Sequence, residues 1–430
     1  MERRKTERDK VDTVPSDTTP SKRSRIFLPV NRSVRALIVY SLFQGLYLGY
    51  ISIFWQPFVI SLGLSIASIG IMEALSGQYG ILSSLIQSIG GRLSDFGRKR
   101  VILLGSLILT CCWAVSTIAF AFRVPALIYF AYVLWALGSI SLPAIDAILA
   151  DTVRPKDRPQ TYSLVLMASL LPSSVTGYLA GQYSQNLGAS VFIGLAALFE
   201  GTGLAILYFI LKDGTGTLDQ AIVKGAEQRG SGQTKRINNV SRTVSNIRLH
   251  WRYFSVMSLD TLTWGIGTSL LYGFLTEAQD YTNHDFGLIA LILPIGVVVG
   301  TIPGGSLSHR IGPRRLLIIS ECLGAAMLLG WAFYPLPEAI PVYAFSWGFA
   351  ISTWVPVQFH LSSSLFPQKN RGELMGNLGT VRGLIRGAGP IVALLLFLEF
   401  GYRGPAVGGA IGIFLTIVLI AKFIPARLEI

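Results

Sequence analysis

The chain has 430 residues, of which 51% are hydrophobic and only 14% are charged, and its formal net charge is +13. Soluble domains contain about 25% charged residues, so this composition excludes an ordinary soluble protein and favours one embedded in lipid. The cysteines Cys111, Cys112 and Cys322 all lie in apolar runs, which argues against a disulfide framework or a metal site.

The first 33 residues are polar, mix basic and acidic side chains, and include Pro15 and Pro20. Such a composition predicts a disordered segment. A cleavable signal would place a short apolar run near the start, and this stretch has none. We therefore expect an uncleaved, disordered tail over residues 1–33.

Twelve apolar segments follow, each about as long as a helix that crosses a hydrocarbon core, which takes about 20 residues. We call them spans 1 to 12, and they cover residues 34–60, 65–90, 101–122, 125–150, 160–186, 189–211, 253–279, 285–308, 314–334, 338–364, 372–398 and 403–424. The polar, glycine-rich stretch 212–252 is predicted to be a linker. It separates a half at 34–211 from a half at 253–424, and residues 425–430 form a short C-terminal segment.

The distribution of positive charge predicts the orientation of these spans. Of the 36 lysines and arginines, 32 fall in the tail, the linker, the C-terminal end and the turns on the same side of the spans. Short loops rich in lysine and arginine stay in the cytoplasm, so both termini and the linker are predicted to be cytoplasmic. The charge therefore reflects topology and does not predict a nucleic-acid partner.

A basic, glycine-framed turn occurs twice in the chain. After span 2 it reads Gly90 to Arg100, and 214 residues later it returns as Gly304 to Arg315. A second pair of turns, around Arg158 after span 4 and Arg371 after span 10, repeats with an offset of 213. Two anchors with nearly the same offset predict two related halves.

These turns resemble the signature of the major facilitator superfamily, and the resemblance covers all twelve spans. The first copy matches at Gly91, Leu93, Asp95, Gly97 and Arg98 but lacks one residue between Asp95 and Gly97. The second copy has the full spacing, with a histidine in place of the acid. The resemblance implies an all-α membrane protein with twelve transmembrane helices in two pseudo-symmetric six-helix bundles.

The resemblance also implies a gating role for these turns. In the superfamily the signature acid braces the cytoplasmic face against the start of span 11, and Asp95 would be an anion near that positive helix end. The basic residues act as topology determinants in either case. The predicted gating residues are Asp95, Gly91, Arg98, Arg158, Gly305 and Arg371.

Two arginines lie inside span 11, where an arginine at a helix centre costs about 2.5–3.5 kcal/mol on insertion scales. Arg382 and Arg386 are four residues apart and share one helix face, so that face must meet an anion. This anion is a protein carboxylate, a substrate or both. Permanent structural pairing, and for Arg382 an extension to the cytoplasmic surface, remain open alternatives.

Five acids are further candidates for a charged group inside the bilayer, and unlike arginine an acid can take up a proton. By the resemblance, Asp146 in span 4 and Asp260 in span 7 face a central cavity, and Glu73 in span 2 is placed beside it. We predict these three as proton-coupling residues, with Asp260 as the partner of the arginines. For Asp146 a hydrated gate residue is an equal alternative. Glu200 and Glu321 lie in spans 6 and 9, which pack peripherally in the family, so we expect structural or interfacial roles there.

Tyr40, Gln44 and Tyr47 share one face of span 1, with Trp55 close to that face. Aromatic rings with hydrogen-bonding ends suit an organic ligand, although core packing explains them equally well. Polar and aromatic side chains of spans 7 and 10 offer similar contacts. The predicted substrate-binding residues are Arg386, Arg382, Gln44, Tyr47, Trp264, Gln358 and Trp354.

These features predict a secondary transporter of a small organic solute, coupled to protons and working by alternating access of the two halves. An anionic metabolite is the favoured substrate, and export of amphipathic compounds is the alternative. A membrane sensor or scaffold that transports nothing is a third hypothesis. The sequence has no Walker motif and no nucleophile–base pair, so we expect neither an ATP-driven pump nor an enzyme, and no cofactor. The expected setting is a monomer in the plasma membrane.

Overall fold

A computed structural model describes residues 31–77, 80–94, 97–153, 158–211, 250–365 and 371–426. All of the longer regular elements in these ranges are α-helices. Their bounds are α1 Arg32–Ser61, α2 Ile66–Ser76, α3 Ile81–Ser94, α4 Arg98–Ala121, α5 Ala126–Gly138, α6 Leu142–Thr152, α7 Arg158–Leu187, α8 Ala189–Ile210, α9 Trp251–Thr268, α10 Leu271–Gln279, α11 Asn283–Ile311, α12 Pro313–Phe333, α13 Ile340–Leu365, α14 Arg371–Phe400 and α15 Arg403–Phe423.

The helices account for the twelve predicted spans, although three spans consist of two helices each. Span 2 comprises α2 and α3, span 4 comprises α5 and α6, and span 7 comprises α9 and α10. Within the described ranges, nine helical segments are long and apolar enough to cross a membrane. The predicted all-α membrane fold is therefore confirmed.

Local sequence explains how the chain reverses between spans. Gly188 and Gly312 adopt φ angles of 79° and 86° between consecutive helices, a backbone region that only glycine enters without strain. Pro313 then occupies the first turn of α12, where its missing N–H has no intrahelical partner to lose. The oxygen of Ser65 accepts from the Ser68 N–H and caps α2. These turns are short and set neighbouring spans antiparallel.

The two halves repeat the same packing. In the first half α1 packs against α7 and α8, and α4 packs against α5 and α8. In the second half α9 packs against α14 and α15, and α12 packs against α13 and α15. Each contact in the first half has its counterpart between the equivalent spans of the second half. The structure therefore has the pseudo-symmetry that the repeated turns predicted.

Small residues bring helices close together. A Cβ atom added at Gly45 or Gly49 would overlap the backbone of Ser169 or Ser173 on α7, so α1 and α7 touch through their main chains. Between the halves, Gly181 on α7 meets Gly287 on α11 in the same way. Close approach through small residues is how helices associate where lipid removes the hydrophobic driving force.

In the described ranges, the most extensive contacts between helices of the two halves lie along three surfaces. The first is α14 against α2 and α3, the second is α11 against α7, and the third is α1 against α10 and α11. Gln56, near the end of α1, spans the third surface. Its Nε2 donates to the Ser269 carbonyl at 2.5 Å and its Oε1 accepts from the Gly273 N–H at 2.9 Å. The side chain thus satisfies backbone groups at the break between α9 and α10.

The buried apolar residues of the described ranges form three clusters. The largest joins both halves at the end of the molecule where α1 ends and α10 lies. The other two belong to one half each and lie toward the end that carries the basic turns, which we call the basic end. The described core is therefore continuous between the halves at one end and divided at the other.

Several predicted features fall on residues that the structure does not describe. They are Asp95, the tail up to residue 30, the linker from 212 to 249 and the last residues, 427–430. The predicted domain boundaries and the role of Asp95 therefore stay predictions.

Candidate functional site

Arg382 of α14 is held by three residues of the second half. Its NH2 lies 3.7 Å from Oδ2 of Asp260 on α9, and its Nε donates to the Thr261 hydroxyl at 2.7 Å. Its guanidinium carbon lies 5.2 Å from the ring centre of Trp354 on α13. An ion pair, a hydrogen bond and a cation–π contact together fix the guanidinium plane. The predicted partnership of Asp260 with an arginine is therefore present.

Asp260 also meets a second acid. Its carboxyl group lies next to that of Glu321, which comes from α12 and is fully buried. Oε2 of Glu321 accepts from Nε1 of Trp264 at 3.2 Å, and the indole of Trp354 lies beside the same carboxyl group. The predicted residues Trp264 and Trp354 thus line the two-acid cluster.

Arg386, one turn further along α14, lies at the surface between the halves. Its backbone packs on Gly265 of α9, and the neighbouring Gly387 packs on α2 and α3. The charged group is within electrostatic reach of Asp260 in the second half and of Glu73 in the first. This permanent cation is therefore close enough to acids of both halves to be influenced by each of them.

Glu73 ends a chain of hydrogen bonds inside the first half. Nε1 of Trp55 donates to the Tyr132 hydroxyl at 2.8 Å, and that hydroxyl donates to Oε1 of Glu73 at 2.9 Å. Trp55 and Tyr132 are buried in the large aromatic cluster, whereas Glu73 is half-buried. The cluster therefore positions one oxygen of Glu73 while the residue keeps exposed area.

The polar face of span 1 binds a buried acid of α8. Tyr40 and Tyr47 donate to opposite oxygens of Glu200 at 2.7 and 2.8 Å, and Ser106 of α4 donates at 2.5 Å. Gln44 donates to the Tyr40 hydroxyl at 2.9 Å and is itself half-buried. Tyr47 is therefore enclosed in the core of the first half, and Gln44 is the member of this face that keeps exposed area. The sequence showed that Tyr40, Gln44 and Tyr47 share one face of span 1, but it did not predict that the two tyrosines bind Glu200.

The remaining predicted residues lie at the basic end. Asp146 is exposed on α6, and Gln358 is buried on α13. The backbone carbonyl of Gln358 accepts from the Tyr253 hydroxyl at 3.2 Å. Arg98, at the start of α4, donates to the Ala147 carbonyl of α6 at 3.4 Å and links spans 3 and 4. Gly91 lies on α3 beside Pro143 of α6.

Three further gating residues are described by backbone alone. Arg158 begins α7, Arg371 begins α14, and Gly305 lies within α11. Helix α14 thus begins one residue before Gly372, the position at which its start was predicted. The gating roles themselves stay predictions.

The described residues contain no group of three metal-ligating side chains. Chemically, the arrangement offers two arginines and three acids around one contact between the halves: Arg382, Arg386, Glu73, Asp260 and Glu321. Such a cluster can hold an anion, exchange protons, or do both.

Solved structures share the fold over most of the chain. Human MFSD10 (TETRAN), described as an organic anion transporter, has a TM-score of 0.64 and 16% identity, covering 92% of this chain and 100% of its own. A POT family transporter in complex with 5-aminolevulinic acid has a TM-score of 0.69 and 13% identity, covering 91% and 96%. The nucleoside transporter NupG has a TM-score of 0.66 and 14% identity, covering 91% and 98%.

Similarity to curated sequences is local. Synaptic vesicle glycoprotein 2A of Homo sapiens is 23% identical over 137 residues, which is 31% of this chain and 18% of that protein. The Rattus norvegicus protein is 22% identical over 142 residues, or 32% and 19%. The chain thus spans about a fifth of the length of these relatives.

The family comparison covers nearly the whole chain in two blocks. The model for the Major Facilitator Superfamily matches residues 36–259 and again 252–429, one match for each half. This match assigns both helical halves to a family of membrane transporters, and the structural neighbours share its fold. The chain belongs to the Major Facilitator Superfamily and is a multi-pass membrane transporter, not an enzyme.

Proposed function

We propose that this transporter moves a small organic anion together with protons by alternating access of its two halves. The observation that carries the proposal is the position of Arg386, a permanent cation within reach of Asp260 on one half and Glu73 on the other. A contact that an anion or a proton can replace is a two-state element of the kind that alternating access requires.

The anionic substrate class follows from the chemistry of the arginines. A guanidinium keeps its charge at any working pH and binds carboxylate or phosphate through two parallel hydrogen bonds. Arg382 is held by Asp260, Thr261 and Trp354 within the second half, whereas Arg386 lies at the surface between the halves, where we propose that it meets the substrate. An anion at Arg386 would compete with Glu73 and so weaken the attraction between the halves.

Proton coupling is supported by three acids of the cluster to which this arginine belongs. Glu73, Asp260 and Glu321 lie inside the spans, where an ionised carboxyl group without a cation is costly. When Arg386 binds substrate, an acid that loses it can become neutral by taking a proton. Uptake of the anion and of a proton would then accompany each other.

The hydrophobic clusters support a conformation that is closed at one end. The described core joins the halves at the end opposite the basic turns, and Gln56 hydrogen-bonds across it. Toward the basic end the described clusters belong to separate halves. We propose that the basic end faces the cytoplasm of the plasma membrane, that the protein acts as a monomer, and that this conformation faces inward.

The amphipathic-exporter alternative receives less support from these positions. It relies on the aromatic face of span 1, and Tyr40, Tyr47 and Trp55 of that face are between 1% and 3% exposed. Their polar atoms are bound to Glu200 and Tyr132. The aromatic side chains of this face belong to the hydrophobic core, so little of their surface is accessible to a ligand.

The test is binding and flux with two arginine variants. Purified protein is screened by thermal shift against organic acids, neutral solutes and lipophilic cations at two pH values, and the hits are then tested in proteoliposomes. Arg386→Gln should abolish stabilisation by organic acids. The control is Arg403→Gln, which removes an exposed arginine at the start of α15. This variant should leave binding unchanged. MFSD10 and the POT transporter motivate the inclusion of organic acids in the screen.

Two results would contradict the proposal. If Arg386→Gln binds organic acids as tightly as the unmodified protein, Arg386 does not hold the substrate. If flux of a bound anion is the same with and without an imposed pH gradient, transport is not coupled to protons.

A further inference from the structure

The contact between Asp260 and Glu321 has an unusual feature. Asp260 is 4% exposed and Glu321 is 0% exposed, and their carboxyl groups lie next to each other. One oxygen of each group is engaged, Oδ2 of Asp260 by Arg382 and Oε2 of Glu321 by Trp264. The other two, Asp260 Oδ1 and Glu321 Oε1, which we call the inner oxygens, are buried and accept no hydrogen bond in the described part of the structure.

An ionised carboxyl group can only accept hydrogen bonds. Two buried acceptors therefore cannot bond to each other unless one of them carries a proton. Two neighbouring carboxylates also resist being ionised together, because like charges at this distance repel. A single proton satisfies both inner oxygens at once.

We propose that Asp260 and Glu321 form a proton-binding site that holds one proton between Asp260 Oδ1 and Glu321 Oε1, with Arg382 as its fixed counter-charge. The site pairs helices α9 and α12 of the second half. As a proton site it stands on this geometry alone, whereas its use as the coupling site rests on the proposed function. Glu321 then has a specific role beyond the structural one that its peripheral span suggested.

The charges support a single proton. With one proton, the pair carries one negative charge against the one positive charge of Arg382. Without it, two carboxylates face that guanidinium inside the bilayer, where uncompensated charge is expensive. Arg386 is also within electrostatic reach of Asp260 and Glu73. Release of the proton therefore strengthens the attraction of Arg386 to the second half relative to its attraction to Glu73.

The surroundings contain few other titratable or charged groups among the described residues. Helix α14 brings the two arginines, and Tyr253 of α9 lies within electrostatic reach of Asp260 and Arg382. Helix α13 brings the neutral indole of Trp354. Helix α15 packs on α9 through Gly409 and Gly412. The shared proton is therefore governed mainly by the two acids and the two arginines.

A sodium ion is the competing occupant, and the geometry disfavours it. Hard cations take about six oxygen ligands, and the described residues contain no group of three histidine, cysteine, aspartate or glutamate side chains that could hold a metal ion. The guanidinium of Arg382 also lies 3.7 Å from the Asp260 carboxylate and would repel a second cation there. A proton needs only the two inner oxygens.

The experiment follows protonation in purified full-length protein without any substrate. Infrared difference spectra between acidic and alkaline buffer report loss of a protonated carboxyl group, and the fluorescence of Trp264 reports the charge on Glu321. The unmodified protein should show one carboxyl band and a matching fluorescence step. Glu321→Gln and Asp260→Asn should each remove both, and Trp264→Phe should remove the fluorescence step alone.

Glu200→Gln is the matched control, because Glu200 is equally buried but is bound by the neutral donors Tyr40, Tyr47 and Ser106. It should leave the band and the step unchanged. The proposal is wrong if both signals persist in Glu321→Gln and Asp260→Asn, if Glu200→Gln removes them, or if sodium at constant pH reproduces them. If one of the variants Glu321→Gln and Asp260→Asn fails to fold, the other is used alone, because each of them removes one of the two acids that share the proton.

Transport measurements separate this proposal from the proposed function. If the one-proton step is present but anion flux ignores the pH gradient, the site is supported and proton coupling is refuted. If flux follows the gradient while Glu321→Gln keeps the titration step, the shared-proton site is refuted and proton coupling stands.

Discussion

Replacing Gln56 by leucine should open the end of the molecule that the described structure holds closed. The side chain makes two hydrogen bonds across the halves, to the Ser269 carbonyl at 2.5 Å and from the Gly273 N–H at 2.9 Å. Each such bond contributes about 0.5–1.5 kcal/mol. Leucine also leaves both backbone groups buried and unbonded in the closed form, whereas water reaches them in the open form. A total of about 2 kcal/mol corresponds to a shift of roughly thirty-fold toward the open form.

The shift can be measured as a distance between spin labels on the two halves. Labels at Ser61 and Glu338, both exposed at this end, are introduced after the three native cysteines are replaced by alanine. Gln56→Leu should increase the population with the longer distance. Gln279→Leu is the control, because the Gln279 amide lies at the same end and bonds to the neighbouring Ala278 carbonyl. An unchanged distance distribution in Gln56→Leu would refute the idea that this side chain holds the halves together.

Two further predictions concern stability. Tyr132→Phe leaves the Trp55 N–H and one Glu73 oxygen without their 2.8 and 2.9 Å partners and should cost about 1–3 kcal/mol in unfolding free energy, seen as a lower melting temperature. Tyr129→Phe, on the exposed side of the same helix, should be neutral, and equal losses would contradict the argument. Gly49→Ala forces α1 away from the backbone of Ser173 and should cost about 1–3 kcal/mol, whereas Gly379→Ala adds a methyl group in open space and should not destabilise.

The fold was largely readable from the sequence because its determinants are local. Hydropathy predicts each span from its own residues, and the repeated turns predict two related halves. The breaks at Ser139–Ser141 in span 4 and at Ser269 in span 7 were not predicted. They depend on neighbouring helices, such as the one that brings Gln56 to satisfy the backbone at the second break.

The site was readable only in part, because side-chain partners depend on which helices adjoin. The cost of burying arginine predicted that Arg382 needs an anion, and Asp260 is that anion. Sequence position alone assigned Glu200 and Glu321 to peripheral spans, but a peripheral helix still directs one face inward. That face brings Glu321 onto Asp260 and Glu200 onto the tyrosines of span 1.

The central cluster explains how a proton and an anion could act on the same motion. Arg382 pairs with Asp260, which lies next to Glu321, and Arg386 lies within electrostatic reach of Asp260 and Glu73. The cluster thus has one more acid than base, and one shared proton makes it neutral. Arg386 is attracted by acids on both halves. An anion that binds Arg386 competes with Glu73, and a proton taken up by Glu73 removes the charge that attracts Arg386. Both events weaken the same contact across the halves, so coupling follows from one arginine serving two bundles.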